Sequence, residues 1–298
     1  MTDAIVVGGG IIGLTAAVRL REAGLDVEVW SPGGPARTVS VVSAAVWYPS
    51  YTDYSPSVQR WALTAYDEFT RQQAAGVPGL ALRPTRNVAM PTGDLWWAPP
   101  GLSVTGPSSA EFVAPLAEMA VYLPWLEEQV RVVRRSVSSL DDALAAAPLV
   151  VNASGLAART LVPDDAVFPA RGQIVLVRNP GLTESVRTPG AYVHPRSSDV
   201  VLGGTFEPGS WDLTPSAEVT DGILARTAAL VPAVAGLEVL GSRVGLRPCR
   251  RGGPRVEREG RVIHAYGHGG AGMTLSWGCA AEVVRLAESQ TPSPPTTV

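Results

Sequence analysis

The sequence predicts an α/β protein in which a doubly wound parallel-sheet domain is interleaved with an antiparallel-sheet α+β domain. Three observations predict it. A strand, a glycine-rich turn and a helix open the chain; a second strand, glycine-rich turn and helix close it; and short apolar strands separated by turn residues fill residues 173–206 between them. Parallel strands alternating with helices require a sheet covered on both faces, whereas strands joined by short turns pair antiparallel.

The opening unit runs Ala4-Ile5-Val6-Val7, Gly8-Gly9-Gly10-Ile11-Ile12-Gly13, then a helical stretch ending at Gly24 and a second strand over residues 25–30. This G-x-G-x-x-G follows a buried strand and opens a helix, the context in which its glycines admit a tight turn, a pyrophosphate against bare backbone, and close helix–strand packing. It therefore predicts dinucleotide binding, Rossmann-like, through Gly8, Gly10, Ile11, Ile12 and Gly13. The acidic residue that usually ends the second strand is missing. Ser31 stands there, with Glu28 three residues earlier, so a serine hydroxyl is left to bond a ribose.

Residues 42–49 are rich in small side chains, as backbone that approaches a ligand must be. Residues 55–73 read as a helix from the spacing of Trp61, Ala62, Ala65, Tyr66 and Phe69. Residues 82–90 and 95–97 read as strands joined by a turn at 91–94, and 108–116 and 140–147 as short helices. Residues 149–155 read as a buried strand returning to the nucleotide edge. Strands are expected at 173–177, 191–194, 200–206, 242–248 and 261–266, helices at 219–230 and 274–289, and a loop at 179–190. The resulting division assigns residues 1–75, 133–173 and 234–290 to the nucleotide domain and 76–132 and 174–233 to the second domain. Residues 291–298, rich in proline and threonine, read as a disordered tail.

Composition narrows the chemistry. With 298 residues, 46% hydrophobic and 17% charged, the chain describes an ordinary globule, and a net charge of −3 gives no reason to expect nucleic acid. No apolar run approaches the roughly 20 residues of a membrane span. The first residues lack a basic segment, so no signal peptide is expected, and Cys249 and Cys279 make no disulfide framework; both observations point to the cytoplasm. All 24 basic residues are arginine. Without lysine there is no Schiff-base chemistry and no P-loop. His194, His264 and His268 lack metal-ligand spacing, so no metal is expected.

The closing unit, Val262-Ile263-His264-Ala265-Tyr266-Gly267-His268-Gly269-Gly270-Ala271-Gly272-Met273-Thr274 continuing to Gly278-Cys279-Ala280, resembles the signature of the D-amino acid oxidases. Gly245-Leu246-Arg247-Pro248 is similar to that family's substrate-arginine strand. Ala191-Tyr192-Val193-His194-Pro195 with Leu202-Gly203-Gly204-Thr205-Phe206 is similar to its substrate-tyrosine strands, and residues 42–49 to its flavin-contacting loop. The likeness runs in order from Ile5 to about Leu286.

The resemblance implies elongated FAD and oxidation of D-amino acids to 2-oxo acids, ammonia and hydrogen peroxide. The route is hydride transfer from substrate Cα to flavin N5, with O2 as acceptor and no protein acid or base. It implies that Arg247 clamps the substrate carboxylate, Tyr192 hydrogen-bonds it, and the Gly270 carbonyl accepts from the amine. Gly269, Gly270, Gly272, Met273 and Thr274 would line the flavin ring, Ala44, Ala45, Val46 and Leu156 would contact the flavin or its chain, and Ser40 the pyrophosphate. A planar guanidinium matches a carboxylate bidentately, which supports the first role independently.

The chain departs from the pattern in three places. Thr188 stands where the animal members carry a second tyrosine, the loop at 179–190 is short, and Tyr48 replaces a polar residue beside the pocket, where it is expected to bind substrate. Arg187 reads as an exposed loop arginine, the alternative being a partner for an acidic substrate side chain, which would make the chain a D-aspartate oxidase. Other readings are a glycine-oxidase-like flavin amine oxidase, a nicotinamide-dependent dehydrogenase and a non-catalytic nucleotide-binding module. The absence of lysine argues against the sarcosine-oxidase type, and a homodimer is left open.

Overall fold

The computed structural model describes residues 2–52, 54–90 and 95–289. The turn expected at 91–94 and the tail expected at 291–298 lie outside the described residues. Two sheets organise the molecule. In the first, the strands Ala4–Val7, Val27–Ser31, Arg131–Arg134, Leu149–Asn152 and Val262–Tyr266 run parallel, and Arg255–Glu259 adds an antiparallel edge. Ala4–Val7 lies at the centre between Val27–Ser31 and Leu149–Asn152, and all four of its residues are buried. That explains its unbroken apolar run: a parallel strand covered on both faces has no polar side to alternate with.

The helices Ile11–Glu22 and Gly272–Glu288 follow the two glycine turns and pack on this sheet. The long helix Pro56–Ala74, capped by Ser55 through Val58 N–H, lies against the closing helix. They approach so closely that a Cβ on Gly278 would fall 2.2 Å from the Trp61 backbone. The last glycine of the closing unit therefore serves helix packing. Among the described residues no helix is long and apolar enough to cross a membrane.

The second sheet has nine strands, all antiparallel but for the pairing of Leu80–Val88 with Ser185–Thr188. Its longest pairing, at one edge, joins Val167–Arg178 to Val239–Arg250. One face packs on the helix Ala217–Leu230 through Val175, Val193, Leu202 and Ile223. The other face looks toward the first glycine loop and carries Tyr192 and Arg187.

Several local readings are corrected. Residues 108–116 are no helix: Ser109–Ala117 is a strand with Ala110, Phe112, Ala114 and Leu116 inward and Glu111 and Val113 outward. Residues 95–97 form a turn closed by the Ala98 N–H on the Leu95 carbonyl, and Pro99 and Pro100 beyond it lack the N–H a ladder needs; Trp97 buries its ring against Trp47, Tyr48 and Phe112. The stretch 179–190 contains the strand Ser185–Thr188. The helix Met119–Glu128 was not anticipated because Pro124 interrupts it, yet Met119, Tyr122, Leu123 and Leu126 bury one face.

Candidate functional site

A single elongated cleft of about 720 Å³ runs from the first glycine loop to the second and ends on the antiparallel sheet. At its start, Gly8 adopts φ +124°, and a Cβ on Gly13 would fall 1.9 Å from the Gly8 carbonyl oxygen. The turn is therefore folded hard onto the helix behind it. The helix begins at Gly10, which offers no side chain to cap it, and the Ile11 N–H donates to Ser40 Oγ at 3.1 Å. Bare N–H groups at a helix N-terminus carry partial positive charge, a cradle suited to a phosphate. Ser31 lines this end, its hydroxyl donating to the Gly33 carbonyl at 3.0 Å.

Midway, Ala44, Ala45 and Leu156 line the cleft, with Ala45 at φ +52°. Val46 does not: its backbone bridges to Leu116. At the far end, the strand Val262–Tyr266 turns through Gly267 and Gly269, both at positive φ, into the closing helix. Gly269, Gly270, Gly272 and Met273 line the wall. A Cβ on Gly270 would meet the Tyr51 ring at 2.8 Å and the Ser50 carbonyl at 3.0 Å. Thr274 stands behind the wall, where its hydroxyl donates to the Tyr48 carbonyl at 2.8 Å and accepts from the Tyr48 N–H at 3.1 Å. This reciprocal pair ties the small-residue loop to the helix that follows the glycines.

Arg247 projects from the edge strand Val239–Arg250 and lies on the bare backbone of Gly172. Its Nη1 donates to the Thr205 carbonyl at 3.0 Å, and its guanidinium sits 5.5 and 5.8 Å from the rings of Tyr51 and Phe206. Those two rings stack on each other at 4.1 Å. Tyr192 lies across Gly203 and Gly204, where added Cβ atoms would come within 2.0 Å of its Cζ and 2.8 Å of its Oη. Burial raises its pKa against the pull of Arg247, so its hydroxyl stays protonated and can donate.

The three histidines hold no metal site, and among the described residues no group of three or more His, Cys, Asp or Glu side chains could hold an ion. His268 is buried with Nε2 unpartnered, and burial pulls its pKa down to about 4. His194 stacks under Tyr192 at 4.7 Å, and burial, with Arg187 nearby, pulls it down to about 3. Both rings are neutral near pH 7.

Tyr48 stands one layer behind the cavity wall, between Trp97 and the guanidinium of Arg187, which lies 3.3 Å from its ring centre. The expectation of an exposed Arg187 is overturned: its side chain turns inward and lines the cleft. Sequence reasoning also missed Tyr51 and Phe206. The small-residue loop at 42–49 stops two residues short of the first, and the second ends the stretch 202–206 without being singled out there.

Comparison with known proteins agrees with this layout. The family model "FAD dependent oxidoreductase" (DAO) matches residues 3–98 and 122–286. The chain is 42% identical to a D-amino-acid oxidase of Streptomyces coelicolor, covering 96% of each protein. It is 40% identical to a D-amino-acid oxidase of Rubrobacter xylanophilus, covering 95% of each. In fold it is similar to glycine oxidase from Geobacillus kaustophilus, with a TM-score of 0.78 over 98% of this chain and 95% of that one, at 23% identity.

Proposed function

The chain belongs to the FAD dependent oxidoreductase family, and from that premise we propose that it is a D-amino-acid oxidase whose cleft holds FAD along its length and the substrate at its far end. The products are a 2-oxo acid, ammonia and hydrogen peroxide. The observation that carries this reading is one continuous cavity with bare-backbone glycine walls at both ends and the guanidinium of Arg247, which holds no carboxylate among the described residues, closing it.

The residues fit the cofactor. The uncapped helix start and the Gly8–Gly13 contact leave room for a diphosphate beside Gly8, Gly10, Ile11 and Ile12, with Ser40 at the same helix end and Ser31 toward the ribose. Ala44, Ala45 and Leu156 would flank the chain of the cofactor, with Val46 supporting from behind. Gly269, Gly270, Gly272 and Met273 would frame the ring, and Thr274 would hold the facing loop in place. When bound, FAD supplies the hydride acceptor and passes the electrons to O2.

The rest of the chemistry is positioning. Arg247 holds the α-carboxylate in its planar fork, and Tyr192 donates a second hydrogen bond to it. The Gly270 carbonyl accepts from the amine. With carboxylate and amine both held, the Cα hydrogen of only one enantiomer is turned along the cleft, so the site discriminates by handedness. No side chain need take a proton from Cα, and a neutral, buried His268 fits that account. The closing helix brings partial positive charge to this end of the cleft. The cofactor would lie along the parallel sheet and the substrate against the antiparallel one, which carries Arg247 on Val239–Arg250 and Tyr192 on Ala191–Pro195. Two free, buried cysteines fit a reducing compartment such as the cytoplasm.

Anaerobic addition of a D-amino acid should bleach the visible flavin absorbance of the purified protein, and its L-enantiomer should not. A colourless protein, or one that needs an added nicotinamide, would overturn the reading.

A further inference from the structure

We propose that Arg187 is a second anion-binding residue of the substrate pocket, so that acidic D-amino acids, D-glutamate and D-aspartate, are preferred over their amides. The proposal rests on the oxidase reading and adds the side-chain specificity of the same site.

Arg187 faces Tyr192 directly across the antiparallel strand pairing. Residues opposite one another share a face of the sheet, so both project away from the apolar face under the helix Ala217–Leu230. The guanidinium packs over the Tyr48 ring at 3.3 Å, with Nη2 3.4 Å from Ser50 Oγ. Its Nε is buried with no partner, and no carboxylate acts on it among the described residues.

Arg187 and Arg247 differ from the two most buried arginines of the chain. The buried arginines Arg171 and Arg196 each hold a carboxylate, Glu207 at 2.7 Å and Asp199 at 2.6 Å. Arg187 and Arg247 hold none, line the same cavity, and both act on Tyr192. No Asp or Glu lines that cavity among the described residues, and neutral His194 offers no compensating charge. Burial without a carboxylate partner makes the charge of Arg187 costly, and an incoming carboxylate relieves that cost. One guanidinium serves the α-carboxylate common to every substrate. The second then selects a substrate with a second carboxylate.

The test compares pairs of equal size in the holoenzyme: D-glutamate with D-glutamine, and D-aspartate with D-asparagine. The acid of each pair should have the higher kcat/KM by roughly 10- to 100-fold, carried mainly by KM. Arg187→Met should remove that ratio and Arg187→Lys should retain part of it. Independently of turnover, glutarate should bind the holoenzyme more tightly than pentanoate, and Arg187→Met should erase the difference. Equal kcat/KM within the pairs, while neutral D-amino acids are oxidised, would overturn the proposal and leave the oxidase reading standing. No oxidation of any D-amino acid would overturn both.

Discussion

The guanidinium of Arg247 lies flat on the backbone of Gly172, where a Cβ would come within 2.0 Å of Nη1. The atom displaced by such a Cβ is the far end of a long side chain, so the fold can absorb it while the proposed carboxylate clamp cannot. Gly172→Ala should therefore raise KM for a D-amino acid about tenfold, with FAD still bound and the melting temperature little changed. Arg247→Ala should raise KM further, again with FAD bound. Steady-state kinetics beside a flavin absorbance spectrum checks both, and unchanged KM in Arg247→Ala would remove Arg247 from the carboxylate.

Gly13 makes the opposite case. A Cβ there would fall 1.9 Å from the Gly8 carbonyl oxygen, which is backbone and cannot swing aside. Gly13→Ala should force the opening helix off its strand and yield a protein that purifies with much less FAD, measured as the ratio of flavin to protein absorbance. Full flavin content would show that the first glycine loop is not the diphosphate cradle.

Gly278 tests the reading that one glycine of the closing unit serves packing alone. Its added Cβ would fall 2.2 Å from both Cα and O of Trp61. Gly278→Ala should destabilise the fold by about 1–3 kcal/mol in a denaturant titration while leaving KM near its original value. A changed KM without lost stability would contradict that assignment.

What could be read from the chain beforehand follows a physical line. Both strand–glycine–helix units were legible, because a buried parallel strand is unmistakably apolar and the glycines that follow it stand where side chains would collide, as at Gly13. Arg247 was legible beside Pro248 in an apolar strand. Ser109–Ala117 was not: Ala, Glu and Leu favour helices, and only the paired partners Leu80–Val88 and Ser103–Gly106 make its alternation decisive. Arg187 read as a loop residue because Pro189 and Gly190 adjoin a strand of four residues, whose partners Leu80–Val88 and Ala191–Pro195 are set by tertiary pairing. Tyr51 and Phe206 meet only once two distant loops converge over Arg247.

The buried histidines give stability a definite dependence on pH. His268 titrates near 4 in the fold, against 6.5 when exposed, because burial disfavours its cation. Unfolding therefore takes up a proton between those values, so the stability present above pH 6.5 declines as pH falls toward 4. His194, held near 3, extends the decline. Denaturant titrations between pH 7 and pH 4 should show this loss, and His268→Gln should make it shallower. A flat profile would mean that neither ring is buried in neutral form.

The most direct test of the oxidase assignment is peroxide release from purified protein given paired enantiomers, with D- and L-alanine, phenylalanine and glutamate as the set. D-amino acids should give O2-dependent hydrogen peroxide, with ammonia in equal amount, and their L-forms none. Peroxide from glycine or sarcosine but from no D-amino acid would contradict it.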